Sequence, residues 1–466
     1  MVTPKSKCPA DMRRPEKPRS SQHKRAKKHK RPSAKDITIN RTVIVNSRLR
    51  IARAVTGFGK PIHKMDILRK QFLRHVGQTS DAPLMIEVAR AEGIYFYSPA
   101  TPDFPDGKRY VDLVSGVSVS NVGHGNPEVV EAVCAQARDY MHIMVYGEMV
   151  ERPQVKYAAA IASLLPQPLE SVYFVNSGAE AVEGALKLAK RHTGRTEIVS
   201  FFDAYHGSTH GAMSVMGGET FVGAYRPLLP DTRKLRFNRF EDLERITDRT
   251  ACVLVEPVQG ESGVRPPADG FLEALRKRCT EVGALLVFDE IQTGFGRSGA
   301  MFALLRYGVT PDIVCLAKAL GGGMPLGAFV SSAAIMAGLR SDPPLGHITT
   351  FGGHPVCCAA GLAALDYIRK HDLAAQAEPK GALFEALLKD HPAVAEIRRS
   401  GLLLAVELGG SERLFRAMEL LKEAGYLSDW FLFCDTAFRI SPPLTITEEQ
   451  IRTCCADIRT KVLDRL

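Results

Sequence analysis

From residue 127 to residue 332 the chain repeats one pattern: a short apolar run, a turn, a stretch with apolar residues at helical spacing, then another apolar run. Parallel strands cannot be joined by tight turns and need crossovers of a dozen or more residues. The alternation therefore predicts an α/β fold, a mostly parallel central sheet covered by helices. Six runs qualify as strands: 171–175, 197–202, 251–255, 284–288, 313–316 and 328–331. Between the third and fourth, Phe271, Leu272, Leu275 and Cys279 recur at helical spacing and predict a crossover helix with one face on the sheet.

After Gly353 the pattern changes to longer helices and few strands: a helix at 355–368, a strand at 402–408, and a helix at 411–424 closed by Gly425. Thr447 with Gln450 makes a capping box for a last helix. The expected organisation is a tail at 1–64, a segment at 65–125 that packs with a smaller α+β domain, a large domain at 126–353, and the small domain at 354–466. Within 65–125, runs at 93–98 and 108–113 flank a Pro/Gly/Asp-rich turn and predict a hairpin.

The chain has 61 Lys+Arg against 51 Asp+Glu, but the excess is local. Residues 1–64 hold 19 basic against 3 acidic residues, which leaves 42 against 48 for the rest, a mildly acidic body. The tail has prolines at positions 4, 9, 15, 18, 32 and 61 and few large apolar residues, too little to bury a core. It admits three readings: a nucleic-acid or nuclear-localisation arm, an organelle transit segment, or a tail without a function of its own, with Met65 opening the globular part. The last leads, so nucleic acid is not the expected partner. The amino terminus has no signal-peptide pattern. The one uncharged run long enough to span a bilayer, 319–339, contains five glycines, Pro325 and two serines, and reads as a loop and a returning strand rather than a membrane helix. Ten cysteines without a C-x-x-C spacing read as buried thiols of a reducing compartment, with no metal site, which points to the cytoplasm.

Chemistry-bearing residues follow the ends of the predicted strands, where ligands of open α/β sheets bind. Asn176-Ser177-Gly178-Ala179-Glu180 stands between a strand and a helix. Its small residues let backbone amides approach a phosphate, although Ser177 and Glu180 also satisfy an ordinary capping box. Asp289 ends the run Leu285-Leu286-Val287-Phe288. A carboxylate there needs a partner, either a ligand cation or the next turn. Lys318 stands two residues beyond the run 313–316 and 29 residues after Asp289. Alone it would be a lysine snorkelling at a sheet edge. Together, the three elements supply what pyridoxal phosphate requires: amides for the phosphate, a carboxylate for the ring nitrogen, and an amine that bonds the aldehyde.

On these motifs residues 80–465 resemble the class III pyridoxal phosphate-dependent aminotransferases, the group that includes ornithine, acetylornithine and 4-aminobutyrate aminotransferases. The resemblance implies a fold-type I transferase and a homodimer with shared active sites. It implies Lys318 as the cofactor-bonding lysine and Asp289 as the ring-nitrogen partner, both catalytic. Gln292 is implied at the ring hydroxyl and Ile291 on one ring face. On the other face it implies Tyr205, in Tyr205-His206-Gly207, and it makes His206 part of the cofactor site. Ser177, Gly178 and Ala179 match its phosphate loop, and Thr350 its phosphate contact given across the dimer interface. Glu261 and Arg439 match a pair in which glutamate gates the arginine until a second substrate's carboxylate arrives; a permanent structural ion pair is the other reading.

Three positions depart from relatives. Ser208 stands where several carry an arginine, Val117 where ornithine aminotransferase carries a tyrosine, and His354 where an asparagine is common. These weaken ornithine as the substrate and leave room for broader amine donors. The expected reaction moves an amino group from an ω-amino acid or related amine to a keto acid, 2-oxoglutarate or pyruvate, by a ping-pong mechanism. The alternatives are an aminomutase or decarboxylase on the same fold, or a nucleic-acid-binding protein acting through the tail.

Overall fold

The computed structural model describes residues 66–466; the basic tail at 1–64 lies outside them. Residues up to Leu84 separate from Met85–Leu466 as a unit of their own. The described part of the first holds one helix, Ile67–His75, whose N-cap Asp66 accepts from Arg69 N.

Met85–Leu466 contains three sheets. The central one has seven strands: β1 (Ser171–Val175), β2 (Glu197–Phe201), β3 (Thr232–Leu235), β4 (Thr250–Val255), β5 (Leu285–Asp289), β6 (Ile313–Leu316) and β7 (Gly327–Ser331). Their spatial order is β1-β7-β6-β5-β4-β2-β3. Neighbours from β6 to β3 run parallel, whereas β7 is antiparallel to both β6 and β1. The fold is thus α/β with a mostly parallel sheet.

The sequence pattern missed β3. Its residues Thr-Arg-Lys-Leu are polar, and only Leu235 is buried, because an edge strand need not carry an apolar face. The other strands are apolar on both faces, and β2, β4, β5, β6 and β7 are buried throughout, as expected where helices cover a sheet on both sides.

One covering helix, Gly178–Thr193, buries Ala181, Val182, Ala185, Leu186, Leu188 and Ala189, stops at left-handed Gly194, and carries Lys190, Arg191 and His192 in its last turn, where cations suit the dipole. Each of its buried Leu or Val side chains contributes roughly 1.5–3 kcal/mol. The crossover helix Phe271–Val282 buries Phe271, Leu272, Leu275 and Cys279, the four residues whose spacing predicted it.

Tyr95–Tyr97 and Arg109–Asp112 form the expected antiparallel pair, and Arg109–Asp112 also pairs in parallel with Tyr426–Leu427 near the carboxyl end. The third sheet, Glu396–Ser400, Leu403–Glu407, Cys434–Ile440 and Trp430–Phe431, is antiparallel and lies among the helices Leu373–Leu388, Ser411–Ala424 and Glu448–Asp457. Thr447 and Gln450 make the full capping box, and Gly425 ends its helix at φ 85°.

Candidate active site

Parallel strands of one direction present their carboxyl ends at one edge, and the segments that leave β1, β2, β4, β5 and β6 there enclose a cavity of about 580 Å³. Ser177, Gly178, Ala179, Tyr205, His206, Glu261, Asp289, Ile291, Gln292 and Lys318, spread over 142 positions, all reach its wall. Two predicted residues do not: Arg439 and Thr350.

Lys318 opens a short 3₁₀ turn after β6 at φ 51°, in the left-handed region that an L-residue enters at a cost of roughly 1–2 kcal/mol. Ala319, Leu320 and Gly321 behind it are buried and sustain that conformation. Burial lowers the lysine ammonium below its ordinary range; Glu261 opposes the shift and Arg439 adds to it. An amine so placed is more often neutral, hence nucleophilic, than a surface lysine.

Asp289 is 3% exposed, the last residue of β5. Its Oδ2 lies 2.7 Å from His206 Nδ1, and its Oδ1 accepts from Ile291 N at 3.1 Å. The carboxylate is thus fixed from two sides, while His206 Nε2 and Gln292 Nε2 are buried without a hydrogen-bond partner. A buried orphan donor is costly unless a ligand satisfies it.

At the other end, Ser177 caps the helix Gly178–Thr193, its Oγ accepting from Glu180 N at 3.2 Å. The capping box is incomplete, because the Glu180 carboxylate turns to Asn176 N and Nδ2 at 2.9 and 2.8 Å instead of Ser177 N. The first-turn amides have no carbonyl of their own helix to bond and remain available to an anion. Two glycines permit the approach. A Cβ on Gly178 would stand 2.9 Å from Ile291 Cδ1, and one on Gly207, at φ 125°, would stand 2.6 Å from Ala179 Cβ.

These features fit pyridoxal phosphate: an anion site at a helix start, a fixed buried carboxylate, an orphan amide donor, a reactive amine, and Tyr205 and Ile291 as apolar walls.

The sequence reading passed over Glu256, although it stands in the same Glu-Pro-Val-Gln-Gly-Glu run as Glu261. It lines the cavity and accepts from Tyr205 N and Gly260 N, both at 2.8 Å. Burial pushes its carboxyl up to about 7, against His206 and with Asp289. From the segment 115–121 the cavity takes Val119 and not Val117.

Glu261 Oε1 lies 2.8 Å from Arg439 Nη2, and Glu261 Oε2 accepts from Leu432 N at 3.2 Å. Arg439 is 1% exposed and also pairs with Asp429, a residue no motif had marked. Thr350 is exposed, outside the cavity of its own chain.

The nine described cysteines are free thiols, seven of them buried, and among the described residues no cluster could hold a metal ion. Nor is any described helix long and apolar enough to cross a membrane.

The family model for Aminotransferase class-III matches residues 76–462. A curated relative, the acetylornithine aminotransferase of Methanopyrus kandleri, is 40% identical over 357 residues, covering 76% of this chain and 90% of the relative. Two solved structures superpose at a TM-score of 0.77. The first, a thermostable (S)-enantioselective omega-transaminase from Thermomicrobium roseum, is 29% identical, with 85% of this chain and 97% of the other covered. The second, the ornithine aminotransferase from Toxoplasma gondii, is 30% identical, with 85% and 94% covered.

Proposed function

This chain belongs to the class III aminotransferases, and from that premise we propose which of its residues perform the transfer and on which substrates. It is a pyridoxal phosphate-dependent enzyme that moves amino groups from amine donors to keto acids.

When bound, pyridoxal phosphate supplies an aldehyde that captures the donor amine and a ring that takes up the electron pair left when a proton departs. Lys318 Nζ would hold that aldehyde. The Lys318 amine, lowered in basicity by burial, would serve as the general base and acid that moves a proton at the donor carbon. Asp289, held by His206 and Ile291 N, would keep a proton on the ring nitrogen. Gln292 Nε2, buried without a partner, would donate to the ring hydroxyl, Tyr205 and Ile291 would wall the ring, and the amides of Ser177, Gly178 and Ala179 would receive the phosphate with the helix dipole. Two half-reactions share this machinery, so the kinetics are ping-pong.

The donor in this reading is an ω-amino acid or related amine, and the acceptor is 2-oxoglutarate or pyruvate. One observation carries the donor assignment: the cavity wall beside Lys318 is the Glu261 carboxylate, with Arg439 neutralised behind it. A donor with an uncharged or cationic end meets no bare arginine there.

The homodimer rests on a surface that the single chain leaves open. Met141, Val150, Ile348 and Phe351 are exposed, and His142 packs against Phe351 at 4.8 Å and His354 at 5.4 Å, which joins residues 141–150 and 348–354 into one face. Thr350 is exposed within it, and in this reading it serves a second copy's phosphate. Residues 126–353 are the cofactor-binding domain and 354–466 the small domain in the same reading, and the cytoplasm, a reducing compartment, suits the free thiols.

Visible absorbance of the purified enzyme against a panel of donors tests the whole. The lysine-bound cofactor band should bleach with one donor class, return with a keto acid, and be absent as such in Lys318→Ala, whose turnover should fall about 10³-fold or more. A band that no ω-amine bleaches would remove the donor assignment.

A further inference from the structure

The turn that carries Lys318 bonds mostly to itself. Leu320 N donates to Ala317 O at 3.0 Å, Gly322 N to Ala319 O at 3.1 Å and Met324 N to Gly321 O at 3.0 Å. The carbonyl of Leu320, two residues past the lysine, is met from another element: Tyr157 Oη, on the helix Arg152–Ala162, donates to it at 2.6 Å. Tyr157 is 0% exposed.

That bond is clamped from two sides. The Tyr157 ring stacks on Phe174 of β1, with centroids 5.8 Å apart and planes inclined by 21°. Opposite, the helix Pro355–Lys370 passes so close that only glycine fits. A Cβ on its Gly361 would stand 2.3 Å from Leu320 O and 2.5 Å from a ring carbon of Tyr157, and a Cβ on Gly322 would stand 2.6 Å from Ala360 O. A gap too small for a methyl admits no water, so without the hydroxyl Leu320 O would be a buried acceptor left unmet. Lys318 stands at φ 51°, and that left-handed strain is of the same size as the cost of an unmet buried carbonyl. One hydrogen bond is therefore enough to decide which conformation the turn keeps. The turn runs on into Gly323, Met324, Pro325 and Leu326, which line the cavity with Lys318, whereas Tyr157 stands behind them and outside the wall.

We propose that Tyr157 is a positioning residue that acts through Leu320 O, holding the turn in the conformation from which Lys318 Nζ reaches the cofactor aldehyde. This rests on reading Lys318 as the lysine that bonds the cofactor. It assigns the presentation of that lysine to a hydroxyl 161 positions earlier in the chain, on a helix that contributes nothing to the cavity wall.

The test compares pyridoxal phosphate, whose aldehyde Lys318 can bond, with pyridoxamine phosphate, which carries an amine in its place and cannot be bonded. Both are titrated into the apoenzyme of wild type, Tyr157→Phe, Lys318→Ala and the double variant. Tyr157→Phe keeps the ring on Phe174 and removes only the hydroxyl. It should weaken pyridoxal phosphate roughly tenfold, leave pyridoxamine phosphate within about twofold, and add nothing to the loss in Lys318→Ala. In turnover, kcat should fall by a similar factor with the donor KM little changed. Equal weakening of both forms, or the same further loss in the Lys318→Ala background, makes Tyr157 structural only and overturns the proposal. Wild-type affinity for both forms overturns it equally. Gly361→Ala, whose methyl meets Leu320 O and the Tyr157 ring, disturbs the same bond from the other side and should reproduce the selective loss, which carries the test if Tyr157→Phe does not fold; no selectivity there would also sink the idea. A lysine-bound cofactor band that persists in Lys318→Ala removes the reading of Lys318, and the proposal with it.

Discussion

Glu290 shows what a single side chain contributes when its surroundings are dry. It is fully buried beside Asp289 and accepts from Ala303 N and Leu304 N, both at 2.6 Å, and from Thr293 Oγ1 at 3.1 Å. Burial pushes its carboxyl from 4.5 up to about 7, against those three donors. The folded state thus keeps a proton that the unfolded chain releases near 4.5. Its contribution to stability is full below that pH and is lost as the pH rises through about 7, a swing on the order of 3 kcal/mol. Thermal unfolding of wild type and Glu290→Gln across this range should show a difference that shrinks from pH 4.5 to 7 and levels off above; a flat difference would refute the assignment. Lys318 and Asp289 stood out in the sequence because a lysine and a carboxylate just past apolar strands need partners, whereas Gln292 was marked only by resemblance to the family. Glu256 and Asp429 did not stand out. A carboxylate declares no role until the amides of Tyr205 and Gly260, or the Nε of Arg439, are seen to hold it.

At the scale of elements, periodicity found what burial dictates. The strands β1, β2, β4, β5, β6 and β7 were readable because their apolar residues must meet helices, and β3 was hidden because a polar edge has no such requirement. The reversed direction of β7 agrees with the returning strand read at 319–339, since the short connection from Leu316 to Gly327 leaves no room for a parallel crossover. The loop after β5 is fastened by Arg297, 0% exposed. Its Nη1 donates to Leu402 O and Pro442 O at 3.0 and 2.7 Å, and its Nη2 to Asn121 Oδ1 at 2.6 Å. Arg297→Met would fill the space yet leave three buried acceptors unmet, a loss of roughly 3 kcal/mol or more. A clear drop in unfolding midpoint is expected, and an unchanged midpoint would show that water replaces the guanidinium. Gly178→Val should instead leave the midpoint nearly in place and weaken cofactor retention, because the new side chain meets Ile291 at the cavity wall. Titration of the apoenzyme with pyridoxal phosphate checks this, and wild-type affinity would count against the phosphate assignment.

For the whole molecule, the proposed dimer makes each active site a joint product. Mixing Lys318→Ala with Thr350→Glu subunits, each impaired alone, should yield hybrids with one doubly altered and one intact site. About a quarter of wild-type activity should return if pairing is random and the site is shared. No recovery, with hybrids shown to form, would place each site within one chain. The sequence by itself determined the fold class and the cofactor, because alternating apolar runs and strand-end chemistry are local properties. Only the tertiary structure decided that these residues face one cavity, that Lys318 is held at a positive φ by its packing, that Glu261 covers Arg439, and that Asp429 stands behind it. Each of those depends on contacts between segments far apart in sequence, Glu261 and Arg439 by 178 positions, and no local pattern encodes the distance or orientation at which such segments meet.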